Sequence, residues 1–74
     1  MPVVSYILVN IGSAKDWEVY EKVMELKHVK EATLVYGECD LIIKVEVENL
    51  GELDAFIFDK LRTISGIEST RTLI

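Results

Sequence analysis

The sequence predicts an α+β sandwich in which two helices cover one face of a four-stranded antiparallel sheet. Three observations support this fold class. Two apolar, β-prone segments flank a short turn near the middle of the chain, two segments have a helical period, and the segments at both ends are apolar enough to form strands. The order of elements is therefore β-α-β-β-α-β.

Each element follows from the spacing of its apolar residues and from the residues that stop the run. The predicted strands are 3–11, 29–36, 40–48 and 67–74, and the predicted helices are 14–27 and 50–64. Ser13 and Asn49 are the expected N-caps, and Gly66 suits the position just past the second helix. The helix ends at 26–29 and 64–67 correspond to each other, since each leads into a strand. With right-handed crossovers and a central hairpin, this order gives a ferredoxin-like sandwich.

The turn between the two central strands organises the chain. Gly37 supplies the left-handed backbone that such a turn needs, at little steric cost. Glu38 and Asp40 add two carboxylates at the same end of the sheet, beside backbone N–H groups that the turn leaves free. We therefore expect a small ligand to bind at this turn.

The first strand is apolar on both faces, which predicts that both faces are covered. One face carries Val4, Tyr6 and Leu8, and the opposite face carries Val3, Ile7, Val9 and Ile11. The two helices can cover only one of these faces. A chain of 74 residues also has a marginal core, although 50% of its residues are hydrophobic. We therefore expect a second copy to cover the other face in a sheet-to-sheet dimer.

Charge and composition exclude several classes of function. The net charge of −5 opposes binding to phosphate backbones and to anionic membranes. A single Cys excludes an intrachain disulfide and fits a reducing compartment. The sequence has neither an apolar run of about 20 residues nor a signal-peptide pattern. We expect a cytoplasmic protein that makes no direct contact with nucleic acid or with membranes.

Catalysis, a metal ion and a cofactor each require residues that the sequence does not supply. Cys39 stands between two carboxylates with no base beside it, and His28 is predicted at the far end of the second strand. One His and one Cys do not make a metal site. We therefore expect a protein that is not an enzyme. An amino-acid-like ligand suits the turn better, because backbone N–H groups can hold its carboxylate and Asp40 can hold its ammonium group.

Three segments resemble the Lrp/AsnC effector domain, also called the RAM domain. Residues 37–45 resemble the Gly-x-x-Asp-Leu hairpin of that family, residues 66–74 its last strand, and residues 5–10 its opening strand. Together the three segments follow the family's order and spacing nearly from end to end. The resemblance implies a ferredoxin-like dimer built sheet to sheet, with the helices outside, and further assembly into octamers or other rings.

The resemblance also implies an amino-acid effector that binds between subunits. Its contacts would come from the turn between the second and third strands and from the last strand. The matching residues here are Tyr36, Gly37, Glu38, Cys39, Asp40, Thr70 and Thr72. Thr33 and Leu41 are further candidates for this set.

Full-length members of the family carry an N-terminal helix-turn-helix that binds DNA. Only three residues precede Val4, so we expect residues 1–74 to form a stand-alone effector domain that modulates full-length regulators. Cys39 replaces a commonly aromatic residue, which changes the expected pocket shape, and Lys27-His28 replace a common Pro-Gly. Two alternatives stay open: a purely structural or interaction module without an effector, and an ACT-like regulatory domain with a different pairing of sheets.

Overall fold

A computed structural model describes residues 2–12 and 16–74 and places two helices on one face of a four-stranded sheet. The strands are β1 (Val3–Ile11), β2 (Val29–Leu34), β3 (Leu41–Val47) and β4 (Ile67–Leu73). Helix α1 spans Asp16–Met24, and helix α2 spans Leu50–Ala55 and continues as a π-helical segment, Phe56–Leu61. The predicted β-α-β-β-α-β order and ferredoxin-like fold are confirmed. None of the helices within the described ranges is long and apolar enough to cross a membrane.

The strand order β2-β3-β1-β4 places β1 in the middle of the sheet, antiparallel to both of its neighbours. Val9 lies opposite Leu41 on one side and opposite Thr70 on the other. The turn between β2 and β3 and the first half of β4 therefore meet at the same end of β1. This arrangement determines where a ligand can contact all three.

The core lies between the sheet and the helices, where strand residues alternate as predicted. Ile7, Val9, Leu41, Ile43 and Val45 are fully buried on the helix-facing side. The helices contribute Val19, Val23, Leu53, Phe56, Ile57 and Leu61. Each such side chain is worth about 1.5–3 kcal/mol relative to its exposed state. Of the two apolar faces predicted for β1, the one that carries Ile7 and Val9 packs against the helices.

The opposite side of the sheet, here called the open face, has no helix over it among the described residues. Val4, Tyr6 and Leu73 lie on this face and are 39%, 46% and 49% exposed. The register aligns them, since Tyr6 lies directly opposite Leu73. The predicted apolar character of both faces of β1 is confirmed.

Helix α1 is shorter than the predicted range 14–27. It ends at Met24. In the turn that follows, the N–H of Glu25 donates to the carbonyl of Lys22 at 3.3 Å, and the N–H of Leu26 donates to the carbonyl of Val23 at 3.0 Å. Such bonds between residues three apart are typical of a last turn that narrows before the helix stops. The predicted end at Lys27 is therefore wrong, and the predicted N-cap Ser13 lies outside the described residues.

The second helix begins as predicted and then departs from α-helical geometry. The side chain of Asn49 accepts the N–H of Glu52 at 2.8 Å, which confirms the expected N-cap. Further on, the N–H of Arg62 donates to Ile57 at 2.9 Å, five residues back, as in a π-helix. The sequence did not predict this π-helical segment. Gly66 has a φ of +102° and lies between the second helix and β4, as expected.

The chain makes matching backbone hydrogen bonds after each helix, at the two positions that the sequence predicted to correspond. The N–H groups of Leu26 and Ile64 each donate to the residue three positions back, at 3.0 and 3.1 Å. Those of Val29 and Ile67 repeat the pattern at 3.3 and 3.4 Å. Each crossover therefore enters its strand through the same local geometry.

The strands adjoining the central turn are shorter than predicted. β2 ends at Leu34, and one more hydrogen bond, from the N–H of Val35 to the carbonyl of Asp40 at 3.0 Å, closes the base of the loop. The predicted boundaries at Tyr36 and Asp40 are therefore wrong by two residues and one residue. The predicted ends of β3 and β4 also run one residue too far, since these strands stop at Val47 and Leu73.

Candidate ligand-binding site

The turn after β2 is a six-residue loop, 35–40, whose backbone leaves the ordinary regions at one point. Gly37 has a φ of +109°, which side-chain-bearing residues rarely adopt. A Cβ atom added there would meet nothing within 4 Å, so the conformation of the backbone, not crowding, favours glycine. The predicted role of Gly37 in the turn is confirmed.

Asp40 ties this loop to β1 through both its backbone and its side chain. Its N–H donates to the carbonyl of Val9 at 2.9 Å, and its carboxylate oxygen Oδ2 accepts the N–H of Ile11 at 2.8 Å. The second bond extends the contact between the loop and β1 as far as Ile11. At this point the pairing of β1 with β4 has a register shift, between Asn10 and Ile11. The structure therefore gives Asp40 a positioning role, and its predicted contact with an ammonium group stays a prediction.

Asp40→Ala is expected to lower the free energy of unfolding by about 1–3 kcal/mol, because the N–H of Ile11 would lose its acceptor in a partly buried place. Urea denaturation of both proteins at one concentration measures this. Asp54→Ala is the matched control, since Asp54 is exposed on α2 and we expect little change there. Equal stability of wild type and Asp40→Ala would contradict the positioning role.

A cleft of about 560 Å³ opens where the loop, β1 and β4 meet. β1 forms its floor, the loop forms one wall, and β4 forms the other. The lining residues are Leu8, Asn10, Glu38, Cys39, Ser69, Thr70 and Arg71. The side chain of Asn10 donates to the hydroxyl of Ser69 at 3.1 Å, which links the floor to the β4 wall.

Three of the seven predicted site residues line this cleft, namely Glu38, Cys39 and Thr70. Cys39 is a free thiol of intermediate exposure. Gly37 and Asp40 shape and anchor the loop that forms the wall. The structure thus brings the turn and the last strand together at one end of the sheet.

Tyr36 and Thr72 lie elsewhere. Tyr36 is 102% exposed and borders a separate depression beside Trp17. Thr72 lies opposite Ile7, on the helix-facing side, and lines a second groove of about 460 Å³ with Leu50 and Phe58. Thr70 borders both the cleft and this groove.

The two further candidates, Thr33 and Leu41, do not line the cleft. Leu41 is fully buried in the core, and Thr33 lies opposite Ile42 near the edge of the open face.

Sequence reasoning missed four residues that line the cleft: Leu8, Asn10, Ser69 and Arg71. Leu8 and Asn10 continue the alternation that begins at Val4, so the sequence did contain a signal for their face. Ser69 and Arg71 depend on the register between β1 and β4, which pairs them with Asn10 and Leu8. That register joins residues about 60 positions apart, and local patterns do not specify it.

His28 lies away from the cleft, as the sequence predicted. Its Nε2 is 3.5 Å from a carboxylate oxygen of Glu52, and its ring meets Phe56 edge-on at 6.1 Å. It therefore joins the start of β2 to α2. Within residues 2–12 and 16–74, no group of three His, Cys, Asp or Glu side chains could hold a metal ion.

The Lrp/AsnC ligand-binding domain model matches residues 5–74. The chain belongs to this family. Lrp/AsnC domains of this kind are regulatory domains of transcriptional regulators. One such relative is an uncharacterised helix-turn-helix-type regulator of Pyrococcus furiosus, 40% identical over 72 residues, which are 97% of this chain and 49% of that protein. The Lrp/AsnC domain thus spans about half the length of the curated relatives it matches, and these relatives are regulators, not enzymes.

Solved structures agree with this assignment. The crystal structure of FFRP-DM1 is similar with a TM-score of 0.90 and 45% identity, over 96% of this chain and 95% of that one. The structure of Escherichia coli AsnC gives a TM-score of 0.87 and 32% identity, over 95% of this chain and 48% of that one. The Lrp/AsnC fold therefore accounts for the whole described sheet.

Proposed function

We propose that this Lrp/AsnC domain binds a free amino acid and responds to it as a homo-oligomer. The observation that carries the proposal is the cleft at the end of the sheet, in a chain whose family is a ligand-binding one. Its volume of about 560 Å³ lies within the range of about 300–1,000 Å³ typical of small-molecule sites. An amino acid fits this space with room for water or for part of a second subunit.

The open face supports assembly of two subunits sheet to sheet. Val4, Tyr6 and Leu73 are all more than a third exposed there, although each is large and apolar. Leu8 and Arg71 lie on the same face and also line the cleft. A second sheet placed on this face would therefore border the cleft, which fits an effector site between subunits.

We further propose that the domain affects transcription only through full-length regulators of its family, in the cytoplasm. The net charge of −5 opposes direct binding to DNA, since a protein must bring cations to the phosphates. Assembly with a relative would use the same open face that joins two copies of this chain. The ligand would then shift the balance between such assemblies.

A melting screen against glycine and the L-forms of the nineteen other common amino acids tests the proposal. A ligand at about a hundred times its Kd stabilises the folded state by about 2.7 kcal/mol. For a domain of this size that raises the Tm by about 10 °C or more. We expect one or a few amino acids to do so, and their D-enantiomers, as matched controls, not to. An unchanged Tm with all twenty at millimolar concentration would contradict amino-acid binding.

The second candidate is a purely structural or interaction module. The same exposed residues of the open face favour it, because assembly alone would explain them. It predicts an oligomer of unchanged mass and an unshifted Tm in the presence of every amino acid. The melting screen therefore separates the two functions directly.

A further inference from the structure

The two walls of the cleft carry opposite charges. Arg71 lies on the β4 wall and Glu38 on the loop wall, with the floor of β1 between them. Among residues 2–12 and 16–74, the ion pairs are those of His28 with Glu52 and of Lys44 with Glu31. Within this part of the chain, both charged groups of the cleft therefore lack an ion-pair partner.

Two other charged groups are already in contact with parts of the protein itself. The guanidinium of Arg62 lies 5.4 Å from the centre of the Phe58 ring, in a cation–π contact. Asp40 accepts the N–H of Ile11 at 2.8 Å. Glu38, and not Asp40, is the carboxylate that the loop contributes to the lining of the cleft, and Arg71 is the cation that β4 contributes.

We propose that Arg71 binds the α-carboxylate and Glu38 binds the α-ammonium group of a zwitterionic amino acid lying across β1. This inference rests on the proposed function and names the groups that recognise the ligand. A guanidinium presents two parallel N–H donors that match a carboxylate, and contacts with ionised groups are the strong ones. The side chain of the ligand would then lie near Leu8 and the thiol of Cys39.

The opposite charges of the two walls favour one class of ligand. A free amino acid satisfies both walls, whereas a blocked amino acid or a residue inside a peptide satisfies at most one. The hydrogen bond from Asn10 to Ser69, at 3.1 Å, holds the floor against the β4 wall and helps to fix the spacing of the two charges. The site therefore selects free amino acids over peptides that contain the same side chain.

Calorimetric titration of the intact chain tests the assignment by removing each charge from the ligand and from the protein in turn. The probes are the common amino acid that raises the Tm most in the melting screen, its α-amide, which lacks the carboxylate, and its N-acetyl derivative, which lacks the ammonium group. The variants are Arg71→Gln and Glu38→Gln. Arg62→Gln and Asp54→Asn are matched controls for the charge change, because neither residue lines the cleft.

We expect wild type to bind each derivative about tenfold to a hundredfold more weakly than the free amino acid. Arg71→Gln should lose the preference for the free amino acid over its amide, and Glu38→Gln the preference over the N-acetyl derivative. Because each comparison uses two ligands on one variant, a change in assembly does not mimic this result. The controls should keep both preferences.

The failures of the two proposals are distinguishable. If no amino acid binds, the proposed function fails and this inference fails with it. If an amino acid binds and Arg71→Gln and Glu38→Gln retain both preferences, the proposed function stands and the charge assignment is overturned. Loss of either preference in a control variant would also contradict the charge assignment, because a charge outside the cleft would then determine which ligand binds.

Discussion

Ile43→Ala is expected to lower the free energy of unfolding by about 2–5 kcal/mol, which is the usual cost of such a cavity in a packed core. Ile43 lies in the centre of β3 on the helix-facing side, and 0% of its surface is accessible to solvent. Small domains are stable by about 5–15 kcal/mol in total, so this change removes a large part of the stability. Urea denaturation followed by circular dichroism measures it.

Leu50→Ala is the matched control, because Leu50 is an aliphatic residue at the start of α2 and is 55% exposed. We expect a change within about 0.5 kcal/mol there. All proteins must be compared at one concentration, because the stability of an oligomer depends on it. A loss for Leu50→Ala as large as that for Ile43→Ala would contradict the described core.

Tyr6→Glu is expected to convert the assembly into monomers. Tyr6 lies near the middle of the open face, opposite Leu73 on one side and Lys44 on the other. A glutamate buried between two sheets would lose its hydration, which costs several kcal/mol per ion, and Lys44, the cation opposite it, already lies 3.9 Å from Glu31. Light scattering should give at least twice the 8.4 kDa chain mass for wild type and about one chain mass for the variant.

Phe58→Glu controls for the loss of an exposed aromatic ring, since Phe58 is 60% exposed but lies on the helix side. It should leave the sheet-to-sheet dimer intact. A wild type that is monomeric at micromolar concentration would contradict assembly through the open face, and so would a Tyr6→Glu variant of unchanged mass.

The sequence predicted the parts of the fold that depend on local pattern. The alternation in β1 assigned both faces of that strand correctly, because a side-chain period of two leaves few alternatives when one face is buried. Asn49 and Gly66 were identified because caps and positive φ values demand particular residue types. The family resemblance was confirmed by the Lrp/AsnC domain model, whose match to residues 5–74 covers all three segments that carry the resemblance.

The exact ends of the elements and the π-helical segment were less predictable. The N–H of Arg62 bonds to Ile57 instead of Phe58, and no local propensity distinguishes such a π-helical turn from an α-helical one. β2 ends two residues earlier than predicted, although the N–H of Val35 still bonds to the carbonyl of Asp40. Both differences lie at the ends of elements, which local pattern specifies least well.

Sequence reasoning predicted three of the seven residues that line the cleft. Glu38 and Cys39 were placed at the cleft because the turn carries them there. Arg71 was missed because only the register of β4 against β1 shows that it shares a face with Leu8. Thr72 was included through the resemblance, although its position opposite Ile7 directs it to the helix side.

A crystal structure of the chain with the amino acid that raises its Tm most is the direct measurement of where the ligand binds. We predict electron density for the amino acid in the cleft between Glu38 and Arg71, across Leu8, at the end of the sheet where the loop and β4 meet. Density in the groove beside Leu50, Phe58 and Thr72, or an empty cleft at saturating ligand, would contradict the proposed site.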